Sequence, residues 1–306
     1  MSPYKRISWT IFCVAVFLGG CAGAPTKQAS DTQEKAVPDI ITAEQLPEIS
    51  GLASSILRPD ALWAINDSGN RAEIIRLNTD LTVAQTVTLG IKNRDWEDLA
   101  AYSLDRQAWV VIAETGDNLR QHAEYFLYFY REETLLDAAR SNLSPDKTLR
   151  FVFDDGAQDC EAIAIDTQSQ QILLFSKTAL GGGIYTLPLR EQAAPEQQVA
   201  RRVASLAMSA GLQASLVTAL TGVNLDAATA AAITADGRQA FLLTYRDIWR
   251  FERGPDQSWA EALSAPPVRL AKHKLQQAEA LTIDKRQRQI IVTSEQLPAP
   301  VIRIPF

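Results

Sequence analysis

All-β is the class that this 306-residue chain predicts, on three observations. One pattern recurs: Glu161-Ala-Ile-Ala-Ile-Asp166 returns as Glu279-Ala-Leu-Thr-Ile-Asp284. It returns more weakly as Glu97-Asp-Leu-Ala-Ala-Tyr102, Ser50-Gly-Leu-Ala53 and Thr229-Ala-Ala-Ala-Ile-Thr234. After each copy come a polar turn and a second apolar run: Leu62 to Ile65, Trp109 to Ala113, Ile172 to Phe175, Phe241 to Leu243, Ile290 to Val292. A third run usually follows. Each unit therefore reads as a small antiparallel sheet, and a period of roughly 50 residues with several strands per unit is what a β-propeller blade leaves in sequence.

The elements follow in order. The first unit runs from Ser50 through Leu62–Ile65 and Ile74–Leu77, with Val83 to Leu89 outermost. The second starts at Glu97 and continues through Ala108–Ala113, Tyr125–Tyr130 and Leu149–Phe153. Between its last two strands Glu132 to Ala139 is helix-prone and stops before Ser144-Pro145. The third runs from Glu161 through Ile172–Ser176 and Ile184–Leu187 to Val199–Leu206, and residues 209–225 then read as an insertion. The fourth spans Thr229 to Phe251, turns at Ala235-Asp-Gly-Arg238 and ends with Val268–Ala271. The last begins at Glu279 and finishes with Val301–Ile304. It lacks an outer strand, while Asp39–Thr42 has no unit of its own, so the N-terminal strand is expected to complete the last blade and close the ring. The count gives a single five-bladed propeller over residues 37–306. Six blades is the alternative, if Ala204 to Leu225 holds a degenerate one. An open β-sandwich would not repeat one acidic position.

Lys5 and Arg6 precede an apolar run from Ile7 to Leu18, too short for a comfortable membrane span, which takes about 20 residues. Residues 1–20 read as a secretion signal. Leu18-Gly-Gly-Cys21 resembles the lipobox of bacterial lipoproteins, which implies a diacylated Cys21 as mature N-terminus. An ordinary signal with an incidental Cys is the other reading. Residues 21–36 are small and polar and read as a flexible tether. Within the lipoprotein resemblance, Ala22 in place of an Asp points to the outer membrane facing the periplasm, with the lipid anchor as the membrane partner.

About 270 residues remain, enough for one large all-β domain. The balance is acidic, 36 Asp and Glu against 30 Lys and Arg, which disfavours a nucleic-acid partner. Cys13 lies in the signal and Cys21 in the lipobox, so Cys160 is the one thiol left to the domain and no disulfide forms within it. Beside Glu161 it reads as a reactive thiol or, more simply, as a small buried residue. His122 and His273 lie in polar segments and read as exposed turn residues. No Gly-x-Ser-x-Gly elbow is present.

Asn66-Asp-Ser-Gly-Asn70, Asp95-Trp-Glu-Asp-Leu-Ala100, Gly116-Asp-Asn118, Cys160-Glu-Ala162 and Ala235-Asp-Gly-Arg-Gln239 before Thr244-Tyr245 occur in that order. As a set over residues 48–296 they resemble a largely uncharacterised family of secreted bacterial β-propeller proteins, which implies the fold. More distantly the chain is similar to the gluconolactonase and senescence-marker group and to propeller phytases. That likeness implies calcium on acidic side chains in the central channel, but the full ligand and catalytic sets of those enzymes have no counterparts here.

In a propeller, equivalent residues of the inner strands share one axial level, so Glu97, Glu161 and Glu279 are expected to converge. A second ring is expected from Asn66-Asp67, Glu114 through Asp117-Asn118, Lys177, Tyr245 and Glu295. Converging carboxylates repel unless a cation sits among them, and oxygen ligands suit calcium before magnesium. The alternative is that each Glu is satisfied by hydrogen bonds to a neighbouring blade. Asn66–Asn70 reads as a ligand-binding mouth loop or as a tight turn on Gly69, and Trp96 as a stacking platform or as packing between blades. Two functions are expected from this. One is a lipid-anchored cell-envelope module binding a small molecule or protein. The alternative is a metal-dependent hydrolase of a phosphoester or lactone, with Glu97, Glu161 and Glu279 on the ion and Asp117 or Glu295 as base.

Overall fold

The chain divides into Met1–Val37 and Pro38–Phe306. The computed structural model describes residues 39–137, 142–177, 182–190, 197–206, 225–286 and 288–306. The expected secretion signal, Cys21, the expected tether and residues 209–224 of the expected insertion lie outside the described residues. Within them the all-β class is borne out.

The strands form antiparallel meanders of four. The first is β2 (Ile49–Ser54), β3 (Leu62–Asn66), β4 (Glu73–Leu77) and β5 (Val83–Thr88). The second is β6 (Trp96–Leu104), β7 (Gln107–Glu114), β8 (Tyr125–Arg131) and β9 (Lys147–Phe153). The third is β10 (Cys160–Asp166), β11 (Gln171–Ser176), β12 (Gly183–Pro188) and β13 (Gln198–Ser205). The fourth is β14 (Ala230–Ile233), β15 (Gln239–Leu243), β16 (Asp247–Glu252) and β17 (Val268–Lys272). In the last, β18 (Ala278–Asp284), β19 (Gln289–Ser294) and β20 (Ala299–Pro305) are joined by β1 (Asp39–Ile41). The pairing of β1 on β20, with Asp39 opposite Val301 and Ile41 opposite Ala299, is the one expected from the two shortages.

An unexpected junction joins the second and third meanders into one eight-stranded sheet. Their outermost strands pair in parallel, Gln198 opposite Phe151 and Ala200 opposite Phe153. The innermost strands neighbour one another in sequence: β2 with β6, β6 with β10, β10 with β14, β14 with β18, and β18 with β2.

Near-continuous burial of β3 and β10 follows from this layering, because each is covered on both faces. The core lies in five layers, each shared by two meanders. Trp63 and Trp96 fill the layer between first and second, and Tyr125, Phe151 and Tyr185 the next. Trp96 is fully buried, which is the packing reading of that residue. Cys160 is likewise buried, and burial raises its thiol pKa.

Among the described residues, two short helices decorate the sheets. Helix α1 (Glu132–Leu136) lies in the expected helix-prone segment. Its buried Glu132 accepts from Ser55 Oγ, from the Ile56 and Leu57 amides and from Trp63 Nε1, pinning the second meander to the first. Helix α2 (Trp259–Ser264) was not expected, although Ser258 and Glu261 form a reciprocal capping box. Trp259 packs between the third and fourth meanders and donates to Asp166 Oδ2 at 2.8 Å.

Candidate metal centre

The recurring polar position is a β-bulge. Pairing slips by one residue between Ile49 and Gly51, Trp96 and Asp98, Cys160 and Ala162, and Ala278 and Ala280. The extra residues are Ser50, Glu97, Glu161 and Glu279, and a bulge re-aims its side chain. The fourth meander has Thr229 just ahead of β14, its hydroxyl donating to Ala278 O at 2.6 Å.

Around Glu97 the carboxylates gather in two groups. Glu97, Asp159 and Glu161 are all buried, and one oxygen from each lies within 4.8 Å of the others. Asp67, Asp95 and Glu97 form a second such group. Glu97 belongs to both, and Glu279 to neither. Instead Glu279 Oε1 accepts from the Tyr245 hydroxyl at 3.1 Å, and Tyr245 in turn receives Lys177 Nζ at 3.3 Å. Lys177 also pairs with Glu161 Oε1 at 2.9 Å.

The electrostatics follow from this crowding. Burial first, then the charge of Glu161, raises the Glu97 pKa well above the carboxylate range. Burial raises Glu161 too, against the pull of Lys177. Glu279 is pushed up to about 8 by burial, then by Glu295 and Glu161. Asp67 and Asp95 are raised mainly by burial. Lys177 is raised as well: burial opposes its charge, but Glu161 and Tyr245 outweigh that.

Glu97, 9% exposed, accepts no hydrogen bond from any described residue. Room for it depends on Gly116, where a Cβ would overlap Glu97 Oε1 and come within 2.5 Å of Asp95 Oδ2. Oxygens up to 4.8 Å apart can share one calcium, whose ligands sit at about 2.3–2.6 Å. The set is hard, anionic and oxygen-only, which fits that ion.

The other expected residues are placed as follows. Asn66 is tied to backbone, donating to Gln45 O at 2.8 Å and accepting from the Glu48 amide at 3.3 Å. Gly69 has φ +80°, the tight turn of the Asn66–Asn70 loop. Asp117 accepts from the Gln121 and His122 amides and the Tyr125 hydroxyl, each at 2.8 Å. Burial opposes its ionisation, but these bonds prevail and its pKa is lowered. Its own amide holds Asp159 Oδ1 at 2.9 Å, so Asp117 positions a site carboxylate. Asn118 is exposed. Glu114 is engaged by Arg94 and Trp96. Glu295, 8% exposed, has a buried Oε2 without a hydrogen-bond partner, and burial raises its pKa.

His122 and His273 are not the exposed turn residues expected. Both are half-buried, with His122 Nδ1 3.1 Å from Gly116 O and His273 Nε2 2.9 Å from Thr244 O. Strands packed nearby cover segments whose composition is polar.

Sequence reasoning missed Asp95, Asp159 and Asp98. The first two precede Glu97 and Glu161 by two residues, a spacing that puts alternate side chains on one face. Asp98 is fully buried and accepts from the Leu99 amide at 2.7 Å and the Ile163 amide at 2.8 Å, tying β6 to β10. Further along the same inner strands, a cavity of about 240 Å³ is lined by Ala53, Ala100, Ala164, Ala231 and Thr282.

No family model and no curated protein matches the chain. Among solved structures it is similar to a chain in the crystal structure of a nidogen/laminin complex, at 13% identity over 84% of this chain and 80% of that one, with a TM-score of 0.41. It is similar also to the structure of U3-55K, at 13% identity over 84% of this chain and 68% of that one, with a TM-score of 0.41.

Proposed function

We propose that the protein is a five-bladed β-propeller, closed by β1, and that a lipidated Cys21 tethers it to the bacterial cell envelope, on the outer membrane facing the periplasm. It serves there as a binding module for a small molecule or protein, with calcium held at the mouth of its channel. Five meanders, five shared core layers and the mutual neighbouring of all five inner strands support the ring. The lipobox resemblance supports the anchor.

One observation carries the calcium reading. Glu97 is buried among four other carboxylates with no hydrogen-bond donor among the described residues. Burial drives such a carboxyl toward its neutral form, and a bound cation is the partner that lets it ionise in an all-oxygen environment. Glu161 and Asp159 join it, while Glu279 contributes at a distance through Tyr245 and Lys177.

The second reading, a metal-dependent hydrolase of a phosphoester or lactone, is favoured by Glu295. Its unpartnered oxygen and raised pKa suit a general base, whereas Asp117 is fully occupied. Metal analysis of the purified protein, with a hydrolase panel run with and without chelator, separates the two. Bound calcium without turnover is expected. Turnover abolished by chelator would establish the hydrolase instead, and a metal-free, inactive protein would remove the cation.

A further inference from the structure

We infer that the mouth holds two divalent cations, calcium before magnesium, with Glu97 as the ligand they share. This rests on the cation reading above and goes beyond it in number and arrangement. The two carboxylate groups share Glu97 and no other residue: Asp67 and Asp95 complete one, Asp159 and Glu161 the other. Each group is compact enough for one ion, since its oxygens lie within 4.8 Å of one another, twice a calcium–oxygen bond of about 2.4 Å. A carboxylate has two oxygens and can face both sides, as in paired-ion sites with centres about 3.5–4 Å apart.

Charge gives a second, independent count. Five carboxylates meet here, each ionised when it ligates a cation, and among the described residues Lys177 is the one cation in an ion pair with any of them, through Glu161. Four negative charges are left, which two divalent cations balance and one does not. The surroundings are built to this end. The Asp117 amide fixes Asp159 from behind, and Gly116 gives Glu97 and Asp95 room that any Cβ would fill. Glu97, nine-tenths buried, has no other described partner to satisfy it.

Calcium stoichiometry by equilibrium dialysis of the full-length protein in detergent tests this, with Asp67→Asn, Asp159→Asn and Glu97→Gln alongside. The expected result is two ions per chain in wild type. One ion is expected in each Asp variant, and binding at least tenfold weaker at both positions in Glu97→Gln. Cooperative melting in chelator shows that each variant folds, and Asp95→Asn or Glu161→Gln replaces one that does not. One ion in wild type overturns the pair while leaving the single-cation reading standing, and none overturns both. Two ions bound with unchanged affinity by Glu97→Gln would overturn the shared ligand.

Discussion

Glu97 shows how one residue becomes a site through its neighbours. Alone it is a glutamate at a bulge. With Asp95 two positions before it, Gly116 beneath it and Asp159 and Glu161 from the next meander, it becomes the centre of an anionic pocket. The repeated glutamates were legible from sequence because they occupy one place in the repeat. Asp159 and Asp95 were not, although Asp-x-Glu recurs in both meanders, because each lies one residue ahead of its inner strand, outside the repeated apolar run that marks the element.

Two predictions belong at this scale. Gly116→Ala should displace Glu97 and Asp95 and abolish the calcium-induced rise in melting temperature, at a cost of about 1–3 kcal/mol in chelator. Melting curves with and without calcium check it. The other concerns pH in the absence of metal. The pKa of Glu279 is raised from 4.5 to about 8, so the folded chain holds the proton more tightly than the unfolded one. Its stabilising contribution is complete below the unfolded value and lost as pH rises through about 8. Melting temperature in chelator should therefore fall across that window, and Glu279→Gln should make the fall shallower. Equal slopes in the two proteins would contradict this.

At the scale of elements, nearly every strand was legible, because each is a short apolar run bounded by turn residues. The exceptions have physical causes. Strands β6 and β7 were legible but the residues of their turn were not: it closes on Asp105 and Arg106, with φ of 52° and 64°, where Gly or Asn is the usual signal. The parallel seam between β9 and β13 pairs segments far apart in sequence, so no local pattern announces it. Helix α2 is too short to show a period, though its capping box was visible at Ser258 and Glu261. Strand β1 carries the next prediction. It covers the edge of β20 and buries Ile41 completely. Deleting residues 22–36 should leave the melting temperature nearly unchanged, whereas extending the deletion through Pro47 should lower it by many degrees. Equal melting of the two truncated proteins would count against a closed ring.

For the whole molecule, the proposed ring accounts for residues more than a hundred positions apart meeting. The innermost strands of the five meanders neighbour one another in sequence, and Glu97 and Glu161 reach one carboxylate cluster while Glu279 meets Lys177 through Tyr245. Calcium should therefore tie several blades together, and its binding should register in global stability. Location is a separate matter at this scale. Cys21→Ser should abolish palmitate labelling and move the protein out of the membrane fraction, and unchanged labelling would refute the anchor. The cation at Glu97 is tested most directly by thermal melts of wild type and Glu97→Gln in chelator and in millimolar calcium. Wild type should melt several degrees higher with calcium and the variant should not respond, while calcium shifts that are absent in both or identical in both would contradict the site.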